Sequence, residues 1–111
     1  MLNQKFKDCI DACVACAVAC SDCATSCLQE EDVKMMAKCI QMDLECAAIC
    51  RSAAELMSLG SEYSAHLCRV CADVCKACGA ECGQHEMDHC QACAEACRKC
   101  ADACEQMATA V

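Results

Sequence analysis

Cysteine fills 19 of the 111 positions, and along most of the chain it recurs in steps that alternate between three and four residues. One stretch carries Cys9, Cys13, Cys16, Cys20, Cys23 and Cys27. A second carries Cys68, Cys71, Cys75, Cys78 and Cys82, and a third repeats it with Cys90, Cys93, Cys97, Cys100 and Cys104. Such steps average about 3.5 residues, the period of a helix seam that faces the axis of a bundle. Between the first and second stretches the same seam continues with mixed residues: Met35, Cys39, Met42, Cys46, Cys50, Ala53 and Met57. Met87 and Met107 extend the last seam at its two ends. The inward register is therefore soft sulfur almost throughout.

The rest of the sequence supports helices of that kind. Proline is absent, glycine occurs only at 60, 79 and 83, and Ala, Glu, Lys, Gln, Met and Leu dominate; all of these are good helix formers. Four helices are expected. The first runs from about Leu2 to Leu28. The second runs from Val33 to Leu59, with Asp32 as N-cap and Gly60 as the C′ residue. The third, capped by Ser61, runs to Cys82 before Gly83, and the fourth runs from His85 to Ala108. Links this short make successive helices antiparallel neighbours. The expected fold is all-α: an antiparallel up-down four-helix bundle with a Cys-lined core, one domain over residues 1–111. A helix from Leu2 to Leu28 is about 40 Å long at 1.5 Å per residue, so the bundle is a narrow rod.

Hydrophobic residues make up 58% of the chain, but that figure includes the cysteines, and the aromatics are only Phe6 and Tyr63. A core of Cys and Ala removes little apolar area from water, at roughly 25 cal/mol per Å². It also leaves the axis underpacked, an empty thiol-lined channel. The metal-free fold is expected to be weak and to gain from self-association. A second apolar row on the first helix, Ile10, Val14, Ala17, Ala24 and Leu28, can pack within the bundle or between subunits. The net charge is −8 with no stripe of Lys or Arg, which argues against a nucleic-acid partner. The longest apolar run, Ala12 to Cys20, falls far short of the ~20 residues of a membrane span. Met-Leu-Asn-Gln-Lys-Phe-Lys-Asp has no apolar signal region or twin arginine, so a cytoplasmic location is expected. In a reducing compartment dense cysteine points to metal or catalysis rather than disulfides.

Among metals, Cu(I) fits this pattern best. Structural zinc sites place Cys pairs on loops around one closed tetrahedron, and ferredoxin-type runs are loops ending in Pro. Here the spacing stays helical throughout. A Cu(I) ion that replaces one thiol proton leaves its site neutral, whereas Zn²⁺ in a Cys₄ site leaves about −2. A row of such zinc sites without Lys or Arg would bury uncompensated charge. Cu(I) also accepts low coordination by thiolate and thioether. Ag(I) would bind by the same logic, and Hg(II) or Cd(II) would compete.

The three Cys seams, together with the link Cys82-Gly83-Gln84-His85-Glu86-Met87-Asp88-His89-Cys90, resemble the bacterial copper storage proteins, in particular their cytosolic branch. The resemblance covers essentially the whole chain. It implies a four-helix bundle, a homotetramer, and storage of many Cu(I) ions by inward-facing Cys. Helix 2 has fewer Cys than the others, which leaves its face of the bundle the least defined.

The antiparallel order also distinguishes the two ends. One end gathers Cys27, Met35, Met36, Cys82, His85, Met87 and His89; there imidazole and thioether would pass Cu(I) to the thiolates. At the other, Leu2, Phe6, Leu56, Leu59, Tyr63 and Leu67 form an apolar plug, with His66 nearby in a structural role. Asp8, Asp11, Asp22, Lys76, Glu81, Glu95, Arg98, Lys99 and Asp102 fall off the seams, on a solvated face. No nucleophile–base set or phosphate loop is present, so the function expected is binding without turnover. A metallothionein-like Zn/Cd buffer, a thiol redox protein and a single-site copper chaperone are the alternatives. The first would reveal itself by metal competition and the second by accessible low-pKa thiols. The third needs only two or three ligands.

Overall fold

The computed structural model describes residues 4–109, so Leu2 lies outside the described residues. It contains α1 (Gln4–Cys27), a 3₁₀ turn (Val33–Met36), α2 (Ala37–Ser58), α3 (Ser64–Gly83) and α4 (Asp88–Thr109). Each helix packs against the next in sequence, and α1 closes the ring against α4. The result is a rod of 46 × 19 × 18 Å. Side-chain contacts fix its sense. Cys9 and Cys13, early in α1, meet Cys104 late in α4, while Cys27, at the end of α1, meets Cys90 at the start of α4. The bundle is antiparallel, as the short links require.

The helix ends follow from local chemistry. Asp32 accepts a hydrogen bond from the Met35 backbone N–H at 3.3 Å and so opens the 3₁₀ turn. At the end of α2, Gly60 adopts a left-handed φ of 66°. Its N–H donates to the Met57 carbonyl, and the Ser61 N–H donates to that of Leu56. This is the paired closure of a Schellman cap. Three boundaries differ from expectation. The 3₁₀ turn takes Val33–Met36, so α2 begins only at Ala37. The Ser61 hydroxyl accepts from the Tyr63 N–H, and α3 begins only at Ser64. His85 belongs to the link, and α4 begins at Asp88, whose acidic side chain suits a helix N-terminus.

The core consists almost wholly of small side chains. All nineteen cysteines are buried, together with a set of alanines. Their small size lets the helices approach closely: a Cβ on Gly79 of α3 would stand 3.3 Å from Cys97 Cβ of α4. The apolar segment Phe6–Cys27 has a mean hydropathy of 1.4, which by length and composition is enough to cross a membrane. The six cysteines that raise that value face the bundle interior, while Asp8, Asp11 and Asp22 are exposed.

The structure resolves or revises several expectations about packing. The second apolar row of α1 splits: Ala17 and Ala24 are buried, Ile10 is half-buried, and Val14 and Leu28 face outward. At the far end Leu59 and Tyr63 are exposed. The rod is closed there by buried Met57 and Met107, with Phe6, Leu56 and Leu67 half-buried. The Met57 thioether accepts from the Cys68 thiol at 3.7 Å. His66 is exposed on α3.

Gly60 has no neighbour that a Cβ would meet, so its role is conformational. Gly60→Ala is expected to lower the stability of the reduced, metal-free protein by about 1 kcal/mol, and Gly60→Asn by less. Urea unfolding followed by helical circular dichroism measures both.

Candidate metal centre

Because the seams of all four helices meet on the axis, the thiols form a continuous column. Sγ–Sγ contacts run from 3.3 Å for Cys39–Cys82 to 4.0 Å for Cys46–Cys50. Most of the sulfurs touch another across the bundle, and many also touch one on their own helix. Cys16, for example, meets Cys20 of α1, Cys46 of α2 and Cys97 of α4. The expected open channel is therefore replaced by sulfur in contact with sulfur.

Four-cysteine groups recur along the column, each with ligand atoms within 4.8 Å of one another. Cys13, Cys71, Cys100 and Cys104 make one group, and Cys16, Cys46, Cys50 and Cys75 a second. Cys20, Cys78, Cys93 and Cys97 form another, and Cys23, Cys27, Cys39 and Cys90 lie toward the link-bearing end. Cys9 and Cys68 extend the column toward the closed end through Cys104 and Met57. Cys82 joins Cys39, Cys78 and Cys93.

One inward residue was missed by the sequence reading. Asp43 of α2 is fully buried. Its Oδ1 accepts from the thiols of Cys93 at 3.2 Å and of Cys78 and Cys82 at 3.3 Å. Burial raises its carboxyl pKa from 3.8 to about 7, because the ionised form loses water. The seam on α2 in fact reads Met36, Cys39, Asp43, Cys46, Cys50, Ala53, Met57, all buried, whereas Met42 is half-buried and Met35 is 55% exposed. The strict alternation of three and four seen on α1 was the signal. It selects Asp43 and Met36, and a preference for sulfur-bearing residues had drawn the choice to Met42 and Met35. The 3₁₀ turn has about three residues per turn, so it brings Met36 rather than Met35 above Cys39.

The two histidines of the link separate in role. His89 Nδ1 lies 3.5 Å from Cys90 Sγ, 3.6 Å from Cys23 Sγ and 3.9 Å from Cys27 Sγ. Its Nε2 faces Glu30 Oε1 at 3.2 Å, which assigns the proton to Nε2 and leaves the Nδ1 lone pair aimed at the thiols. His85 instead turns its Nε2 to Glu81 at 2.9 Å, away from the sulfur column. Met87 is half-buried against the same end of the core. Burial, with the charge of Cys27, pushes the Cys90 thiol up to about 11, and burial likewise raises Cys39. These end thiols are protonated near neutrality and lack the low pKa of a reactive redox cysteine.

The family model for copper storage proteins matches residues 2–109. The chain belongs to the copper storage protein family. Solved structures of the family superpose along nearly its whole length. The Cu(I)-bound copper storage protein BsCsp3 is 47% identical, covers 96% of this chain and 100% of its own, and gives a TM-score of 0.92. The apo form of copper storage protein 3 from Bacillus subtilis, also 47% identical, covers 93% and 98% with a TM-score of 0.86. A cytosolic copper storage protein from Streptomyces lividans, solved with five coppers, is 38% identical, covers 97% and 95%, and gives 0.93. No curated protein sequence matches the chain. Within this copper storage fold, the thiol column occupies the axis and Asp43 is the one carboxylate in it among the described residues.

Asp43 gives the metal-free protein a defined pH dependence. The folded state keeps the Asp43 proton up to about pH 7, whereas the unfolded chain releases it near 3.8. Stability therefore falls as pH rises through that window. Asp43→Asn is expected to remove this slope, which denaturant unfolding of the reduced apo protein at a series of pH values tests directly.

Proposed function

We propose that this chain is a store for Cu(I), holding many ions per chain through the cysteine thiolates of the bundle core. The observation that carries this reading is the column of nineteen buried cysteines along the axis, most of them in Sγ–Sγ contact. Neighbouring thiols already stand at the separation of two ligands on one soft ion, so loading exchanges S–H···S contacts for S–Cu–S links with little motion. Each exchange releases a proton and leaves the site neutral, which lets the interior fill without accumulating charge. The Cu(I)-bound and copper-loaded relatives support the choice of metal.

The same reading makes the protein a binding protein without turnover, a single domain over the whole chain, and cytoplasmic, as the S. lividans relative is described. All nineteen cysteines serve as ligands. His89 and Met87 guide Cu(I) inward at the link end, with Met36 in the place first given to Met35. Self-association to a tetramer would use outward apolar residues such as Val14 at 49% and Val18 at 65% exposed on α1 and Leu44 at 57% on α2.

Anaerobic titration of the reduced apo protein with Cu(I), against a chromophoric chelator, is expected to show uptake on the order of one ion per thiolate. Saturation at a few ions, or ready displacement by Zn²⁺, would overturn the storage reading. His89→Ala is expected to slow the first phase of uptake without lowering final capacity, and His85→Ala to leave both unchanged. Stopped-flow mixing at limiting Cu(I) separates the two variants.

A further inference from the structure

Two kinds of inward contact are sorted by helix pair. α1 and α2 approach each other closely over more of their length than α1 and α4 do, and α3 and α4 over more than α2 and α3. Small side chains permit this. Ala17 and Ala24 of α1 and Ala47 and Ala54 of α2 are buried, and a Cβ on Gly79 of α3 would also stand 3.6 Å from the Ala94 carbonyl of α4. Sulfur follows the opposite rule. Among the described residues, Sγ–Sγ contacts within 4.0 Å join α1 to α2 only at Cys16–Cys46 and α3 to α4 only at Cys82–Cys93. The other contacts between helices cross from one pair to the other, as at Cys13–Cys104, Cys20–Cys93, Cys39–Cys82 and Cys50–Cys71. The molecule is thus two close-packed hairpins, α1–α2 and α3–α4, with the thiol column as the seam between them. One stretch of backbone joins the hairpins, the link 59–63 at the closed end. At the other end the chain turns back within each hairpin. The polar ties that cross there, Lys38–Glu81 at 3.9 Å and Glu30–His89 at 3.2 Å, are partly exposed. Thiol contacts and partly exposed polar pairs are weak holds.

We infer that the protein is built as a clasp: in the metal-free state the hairpins part as two units along the sulfur seam, hinged at the link 59–63, and bound Cu(I) fastens them. The opened form keeps the helix packing of each hairpin. It gives up only the S–H···S contacts and the apolar surface beside them, so it costs less than global unfolding. Hinges of this kind are a few residues at element ends, and here the link contains Gly60, whose backbone has no neighbour to obstruct it. Every four-cysteine group described above takes members from both hairpins, so an ion in any of them ties one hairpin to the other. That fastening rests on the storage reading; the opening of the metal-free protein does not.

Thiol labelling of the reduced full-length apo protein tests the opening. A limiting anaerobic pulse of N-ethylmaleimide, followed by unfolding, a second isotopic label and peptide mass spectrometry, reads each cysteine in molecules labelled once. Parting of the hairpins is expected to label mid-column thiols of all four helices, Cys16, Cys50, Cys75 and Cys97, at rates within about threefold of Cys27 and Cys90 at the rim, with Cys9 and Cys68 beside the hinge slower. The rate is expected to rise with urea less steeply than global unfolding does. Ala47→Gly weakens α2 within its own hairpin, so it is expected to lower the unfolding midpoint yet leave labelling unchanged; labelling through global unfolding would quicken about two- to fivefold. Cu(I) at about two equivalents per chain is expected to slow labelling of the thiols still free by about tenfold or more. A steep fall in rate from rim to mid-column, one rate for every cysteine with the full urea dependence, or no labelling short of the unfolding transition would overturn the opening. Protection confined to the thiols that Cu(I) occupies would overturn the clasp. The final Cu(I) capacity reads the storage function apart from both.

Discussion

Contact between thiols across the bundle axis is the interaction on which everything else in this structure rests. A thiol is a weak donor and a weak acceptor, so a buried column of them can satisfy itself without water or backbone. It is also small, which lets four helices close to a rod only 19 × 18 Å across. The same smallness limits the apolar area that folding removes from water. A core of this kind stabilises the apo state modestly and keeps its sulfur lone pairs uncommitted, a balance that suits a protein whose interior is its binding site.

Two polar residues break the uniformity of the column, and each has a physical consequence. Asp43 gathers three thiol donors onto one oxygen, so it organises Cys78, Cys82 and Cys93 before any metal arrives. Once those thiols lose their protons to a metal, Asp43 loses its donors as well, and the local charge must be rebalanced. His89 sits at the rim with one nitrogen toward the sulfurs and the other toward Glu30. It joins the interior to the charged surface through a ring whose orientation is set from outside.

Much of this was legible in the periodicity. Strict alternation of three and four, sustained over α1, α3 and α4, admits one structure class and points all the cysteines inward, and Gly60 closed α2 as its residue type required. The failures are local. Seam membership on α2 was judged by chemistry rather than by spacing, which promoted Met42 over Asp43; a carboxylate in a thiol core is intelligible only once its three donors are seen. Met35 lost its place to Met36 because a 3₁₀ turn shifts phase by a fraction of a turn, below the resolution of pattern reading. His85 and His89 are equivalent in sequence context, and only the route of the link separates the one that meets Glu81 from the one that meets sulfur. Leu59 and Tyr63 looked like a plug because they are apolar, but Met57 and Met107, already on the seams, filled that space first.

The asymmetry of the two ends carries a consequence for how contents are ordered. Buried Met57 and Met107 close one end, whereas His89 and its thiols stand at the rim of the other. If Cu(I) enters only at the His89 end, as proposed, the column is a stack: the last ion placed is the first that a competing ligand can reach. On that reading retrieval would sample the most recent deposits, and ions beside Cys9 and Cys68 would form a deep reserve released only after the rest or when the helices part.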